Sequence, residues 1–354
     1  MTRRDFIGSA VAFAATGTVR GDGAVATSPD DIRAVLLHLG ENMWCDWSDD
    51  PADYVTLGGK APHRELRMDE SIWRTSIDLA VERKFNMVLI DVGEGVVYPS
   101  HPELAVKGSW SVDRLRAELK RLRTLGLEPI PKLNFSNTHN GWLKEYRRMV
   151  STAEYYSACA DLIRDIAEIF DHPRFLHIGY DEETFGHQKK MNFAIVRQGE
   201  LWWRDFLWFV KTVEQNGMRA WSWSDYGWYH PDFVDRCPKS VLQSNGYYDE
   251  YLEGFELDSP KLKECRAWLE LYVRFDKAGF DQIPCGSNWN SKIRKERGPA
   301  VNDSMIDLIA FCRKHLSAEH LEGFLMAPWV PCNTADDLKI IREGFDIFRT
   351  GLAR

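Results

Sequence analysis

No stretch of this sequence is crowded with lysine or arginine, and the formal net charge is −8, which speaks against a nucleic-acid partner. No apolar run reaches the roughly 20 residues that a membrane-spanning helix needs. The seven cysteines show no zinc-ligand spacing, and their odd number leaves at least one thiol free. Cys285 and Cys332 would lie close together if their strands are neighbours, but spacing alone does not establish a bridge. No repeat, low-complexity stretch or linker divides the chain. Nothing in it calls for a cofactor or a metal ion.

What the sequence holds in excess is tryptophan, 14 in 354 residues. Indole faces stack on the apolar faces of sugar rings, which hints at carbohydrate, although Trp also serves as core mass. The 44% hydrophobic and 28% charged content describes an ordinary soluble globular protein. Its length suits a single (β/α)8 barrel, which needs about 250 residues plus insertions, or two α/β domains.

The first residues read as a processing segment. Arg3 and Arg4 precede Phe6 and a mild apolar run, and Ala24-Val25-Ala26 offers a small-residue cleavage site. This resembles a bacterial twin-arginine export signal. The expectation is a signal over residues 1–26, a barrel over 27–354, and a periplasmic or secreted location.

From residue 34 onwards, apolar runs alternate with amphipathic segments. Strands are expected near Ala34, Phe85, Leu127, Arg174, Met218, Ser240, Phe280 and Leu321. Intervening helices are expected over Asp69–Lys84 and Ser111–Gly126. The second has Leu115, Leu119, Leu122 and Leu125 on one face and Gly126 as its stop. A longer helix carries Trp202, Trp203, Phe206 and Phe209, and a last one begins at Ala335. Strands separated by helices pair in parallel, and eight such units predict a closed, single-domain (β/α)8 TIM barrel of the α/β class.

In such a barrel the reaction site lies at the C-terminal ends of the strands. Those ends are rich in polar and aromatic groups here. The second offers Asp91 and Glu94, and the third Asn134, Asn137 and His139. The fourth offers Asp181, Glu182 and Glu183, and the fifth Trp221, Trp223, Asp225 and Trp228. The sixth gives Asn245, Tyr247 and Tyr248, the seventh Asn288, Trp289 and Asn290, and the eighth Trp329. Carboxylates for proton transfer, amides for hydroxyl groups and indoles for ring stacking are what a sugar site requires. The candidate substrate-binding set is Asp91, Glu94, Asn134, His139, Trp221, Trp223, Asp225, Asn245, Tyr247, Asn288, Trp289 and Trp329.

On the fourth strand, the period of two puts His177, Gly179 and Asp181 on one face. Glu182 would then point away, so both acids reach one site only if the strand breaks at its end. His177 is expected to be a buried hydrogen-bonding residue, and Glu183 a surface charge.

The run "HIGYDEE" resembles the H-x-G-G-D-E signature of glycoside hydrolase family 20, the β-N-acetylhexosaminidases. "YPSHPELAVKGSW", "LGLEPIPKLNFSNTH", "VLQSNGYYD" and "GFLMAPW" resemble further segments of that family, over most of residues 34–345. The resemblance implies a retaining enzyme in which the substrate's own 2-acetamido oxygen attacks the anomeric carbon. Asp181 would orient that acetamido group, and Glu182 would be general acid and then base. The lack of an acid after the seventh strand, which runs "CGSNWN", agrees with a nucleophile carried by the substrate. Crowding by Asp181 and Glu183 would help Glu182 keep its proton.

The chain departs from the family at several points. Tyr180 replaces a Gly or Ala, and Lys132 and Asn134 stand where the family has Glu and Asp. Asn245 stands for a Trp, no acid follows the strand-eight Trp, and the strand-one Arg has no counterpart. Two other functions compete: a carbohydrate-binding barrel without catalysis, and a hydrolase or lyase with a metal site at Asp91, Glu94 and His139.

Overall fold

The computed structural model describes residues 32–46, 61–248, 260–289 and 303–354. The export segment and Asn290 lie outside the described residues. Eight parallel strands form one sheet: β1 (Ile32–His38), β2 (Met87–Asp91), β3 (Glu128–Lys132), β4 (Phe175–His177), β5 (Arg219–Trp223), β6 (Leu242–Ser244), β7 (Cys285–Gly286) and β8 (Gly323–Met326). Their order is β6-β5-β4-β3-β2-β1-β8-β7. Bridges Gln243↔Gln282 and Gly246↔Cys285 bring β6 alongside β7 and curl the sheet into a barrel. The expected (β/α)8 architecture is the observed one.

Alternation along each strand builds two apolar layers. Val35, Leu37, Val88 and Ile90 face the helices. Ala34, Leu36, Met87, Leu89, Ile130, Phe175, Trp221 and Leu242 fill the barrel. Between strands, the helix Glu70–Glu82 starts where the Asp69 side chain accepts from Ser71 and Ile72 N–H, a cap that contributes ~1 kcal/mol. The helix Val112–Thr124 buries Leu115, Leu119 and Leu122, and Gly126 follows it with φ +80°. The helix Gly199–Gln215 buries Phe206 and Phe209, each worth roughly 1.5–3 kcal/mol.

β3 contains Pro129 and Pro131, which have no N–H to donate. The sheet accommodates them on one side. β3 pairs with β2 over all five residues but with β4 only at Lys132↔His177.

The register sets His38 beside Asp91, Asp91 beside Lys132 and Lys132 beside His177. All four side chains are buried, forming a polar layer across one half of the barrel. Lys132 Nζ is ion-paired to Asp91 Oδ2. Burial opposes the Asp91 charge, yet Lys132 and His38 together bring its pKa down to about 2. His177 Nδ1 accepts from Gly179 N–H at 3.0 Å, the buried bonding role expected of it.

Cys285 and Cys332 are both buried free thiols, so no bridge joins that pair. No helix among the described residues is long and apolar enough to cross a membrane.

Candidate active site

β4 ends at His177, and the backbone then turns sharply. Gly179, Tyr180 and Glu182 all have positive φ, at +70°, +78° and +54°. This is the break that a regular strand would need in order to present Asp181 and Glu182 together. Gly179 is required twice over, because a Cβ there would also overlap the Asn134 carboxamide. Tyr180 holds a left-handed conformation that costs a non-glycine residue about 1–3 kcal/mol. Its ring lies 5.2–5.7 Å from those of Trp202, Phe206 and Phe209, with the Arg197 guanidinium 4.5 Å over its face.

Neighbouring loops clamp the turn from both sides. From the β3 side, Asn134 Nδ2 donates to Asp181 Oδ1 at 2.9 Å. Ser136 Oγ donates to the Asp181 carbonyl, and Thr138 Oγ1 to the Glu182 carbonyl at 2.6 Å. From the β5 side, Asp225 Oδ2 accepts from Glu182 N–H at 2.7 Å. Glu183 is not a surface charge. Its carboxylate is buried against Arg197 Nε at 2.8 and 3.1 Å, and Arg197 also reaches Asp205 at 3.3 Å. That pair anchors the turn from below.

The turn opens onto a cavity of about 470 Å³, within the usual range for a small-molecule site. His139, Asp181, Glu182, Trp223, Asp225, Trp289 and Trp329 line it, together with Glu41, Met43, Trp44, Ser224, Trp228, Ser244, Gly246, Tyr248 and Pro331. Trp329 is the hub of the aromatic wall. Its ring centroid lies 5.6 Å from Trp223 and 6.3 Å from Tyr248.

His139 Nε2 lies 3.2 Å from Glu182 Oε2 and 3.4 Å from Asp181 Oδ2. His187 Nε2 is 3.7 Å from the other Glu182 oxygen. Burial disfavours the imidazolium of His139, but Asp181 and Glu182 outweigh it and raise its pKa. Burial likewise pushes Glu182 up, but the hydrogen bond and charge of His139, with His187, bring it below its ordinary value. The expectation that crowding would raise Glu182 is therefore corrected: Glu183 is ion-paired to Arg197, and His139 and His187 lie against the Glu182 carboxylate. The raised carboxyls are Asp225, through burial and the Asp181 charge, and Glu183, through burial.

Seven of the proposed binding residues lie elsewhere or act indirectly. Asp91 faces inward from within β2 and is taken up by Lys132. Glu94 is buried and accepts from Glu41 and Asn42 N–H at 2.8 and 3.0 Å, shaping the loop that presents Trp44. Asn134 is buried and holds Asp181. Trp221 sits in the barrel core, with Nε1 donating to Ser244 Oγ at 2.8 Å. Asn245 bridges the Trp268 carbonyl and Trp228 Nε1, each at 2.7 Å. Tyr247 is buried away from the cavity. Asn288 Nδ2 is bonded to the Ile340 carbonyl at 2.8 Å. Asp91, Glu94 and His139 form no metal centre, and no such cluster occurs among the described residues.

The β1 loop was the part missed. Glu41, Met43 and Trp44 line the cavity, and the run "GENMW" after an apolar strand was the available signal. Trp228 and Tyr248 had been noted at strand ends, and both reach the cavity.

No protein-family model matches the sequence, and no curated protein matches it. Solved structures do share its fold. The N-acetyl-β-hexosaminidase of Streptomyces plicatus in complex with Thio-NAglucal superposes with a TM-score of 0.61 at 13% identity, covering 91% of this chain and 64% of that one. The β-N-acetylhexosaminidase of Bacteroides fragilis gives 0.56 at 13%, covering 88% and 65%. The glycoside hydrolase family 20 exo-β-N-acetylglucosaminidase of Vibrio harveyi, bound to N-acetylglucosamine, gives 0.51 at 13%, covering 90% and 56%. At this identity the likeness is one of fold, and this chain spans between 56 and 65% of the length of those three chains.

Proposed function

We propose that this protein is a glycoside hydrolase that removes a 2-acetamido sugar by substrate-assisted, retaining catalysis. The observation that carries this is the β4 turn, which sets Asp181 and Glu182 side by side on an aromatic-walled cavity. The fold shared with β-N-acetylhexosaminidases supports the same reading. Asp181 accepts the acetamido N–H and spreads the positive charge of the cyclised intermediate. The acetamido oxygen is held near the anomeric carbon by the substrate itself, so its effective concentration is very high.

Glu182 protonates the leaving oxygen. The proton comes from the His139–Glu182 pair, in which the imidazole holds it at rest and the carboxylate delivers it. Glu182 then activates water to open the cyclic intermediate. The wall of Trp44, Trp223, Trp228 and Trp329 packs on the ring faces. We further propose that the chain is exported through its twin-arginine segment and works outside the cytoplasm, which cell fractionation of the full-length protein would check.

A panel of aryl glycosides with and without the 2-acetamido group tests the activity. Release only from acetamido sugars supports the proposal, and release only from sugars without it contradicts it. Binding without release by the intact protein would instead favour a carbohydrate-binding barrel.

A further inference from the structure

The carboxyl group of Asp225 stands out because it neglects its nearest task. It directly precedes the short helix Tyr226–Tyr229, a place where Asp ordinarily caps, yet its side chain makes no capping bond. It reaches across to β4 instead, where Oδ2 takes the Glu182 N–H at 2.7 Å. Its Oδ1 is buried and has no partner. The residue that donates this bond, Glu182, is one of three left-handed residues in the turn, and it has no glycine's freedom to sit there unaided.

We propose that Asp225 is a positioning residue for Glu182, locking the left-handed turn that keeps the Glu182 carboxylate in the cavity beside His139. This rests on the reading of Glu182 as the acid. The titratable groups facing Asp225 are Asp181 and Glu182, both from the β4 turn. Burial and the Asp181 charge keep its carboxyl neutral well above the ordinary carboxylate range. A neutral acid can accept the Glu182 N–H without adding a further negative charge next to Asp181. Ionisation would add a third carboxylate charge beside those of Asp181 and Glu182.

Two variants separate the bond from the charge. Asp225→Asn keeps an oxygen for Glu182 N–H and removes the ionisation, whereas Asp225→Ala removes both. On an aryl glycoside with a poor leaving group, kcat/KM should fall about 100-fold for Ala and about tenfold or less for Asn, the scale that acid catalysis contributes. On an activated aryl glycoside, which needs little acid assistance, the Ala loss should shrink to about threefold. With that activated substrate the high-pH limb of the wild type should disappear in Asp225→Asn. Equal losses on both substrates, or an unchanged limb, would overturn the assignment.

The amide proton resonance of Glu182 reads the bond without turnover. In a His139→Gln background, which removes the titrating imidazole beside Glu182, the shift of this resonance should show a high-pH step, and on adding Asp225→Asn that step should be absent. A step that persists in Asp225→Asn overturns the proposal. If the wild type cleaves no glycoside but the step behaves as expected, the catalytic reading fails and the positioning of Glu182 by Asp225 stands.

Discussion

β2 and β4 flank the same strand, and each delivers acid to the same end of the barrel. Asp91 is the last residue of β2, still in regular strand geometry, so its side chain points into the barrel at the level of Lys132. It is 2% exposed and ion-paired. Asp181 and Glu182 follow β4 by a few residues, beyond a turn with three positive φ values, and the Glu182 side chain is 44% exposed. The sequence offers similar carboxylates in both places. What separates a charge locked in the core from one available for chemistry is the backbone turn and the clamps that hold it.

That contrast can be broken most severely at Glu182. Replacing it with Gln should lower turnover of a glycoside with a poor leaving group by about 100- to 10,000-fold, measured as kcat. Chemical denaturation should show little accompanying loss of stability, since the group is half-exposed and surface ion pairs contribute little.

The opposite signature is expected in the barrel. Lys132→Met leaves the Asp91 carboxylate buried without its cation, which should destabilise the fold by about 3–5 kcal/mol in urea unfolding. The double variant Lys132→Met with Asp91→Leu should recover most of that loss, because no charge then remains uncompensated.

Gly179→Ala strikes the turn itself. An alanine at φ +70° beside the Asn134 carboxamide should cost about 1–3 kcal/mol and should reduce activity as Asn134 is pushed off Asp181. A thermal melt together with a kcat assay checks both effects.

The mildest effect is a shift in a pH profile. His139 has a raised pKa and Glu182 a lowered one, so at rest their shared proton sits on the imidazole. On a glycoside with a poor leaving group, which needs that acid, the high-pH limb of kcat/KM is then the loss of that proton, above the ordinary imidazole value of about 6.5. In His139→Gln the proton must sit on Glu182 alone, and the limb should move to lower pH. A limb that stays in place would mean that His139 does not hold the proton.

Much of the fold was legible because parallel strands and amphipathic helices have distinct periods. All eight strands and the helices named from sequence are present, with strand starts displaced by a few residues at most of them. The site was legible where a residue sits at or just past a strand end, as with Trp223, Trp289 and Trp329. It was misread where depth in the barrel decides the matter, since Trp221 and Trp223 share a face and only the outer one reaches the cavity. Trp221 and Asp91 are still within their strands and point into the barrel. Asn245 and Asn288 lie past theirs, but their amides are consumed by backbone carbonyls. Glu183 was misread because its partner Arg197 is 14 residues away and belongs to no local pattern. The β1 loop was missed because its place depends on Glu94, a contact made 52 residues along the chain.

The central claim is that the nucleophile belongs to the substrate and that Asp181 and Glu182 serve it. The most direct test is mass spectrometry of the intact enzyme after incubation with an activated 2-fluoro glycoside, alongside inhibition by a thiazoline analogue of the cyclised intermediate. No covalent adduct is expected, and the thiazoline should inhibit competitively. A stable sugar adduct on Asp181, Asp225 or Glu41 would establish a protein nucleophile and contradict it.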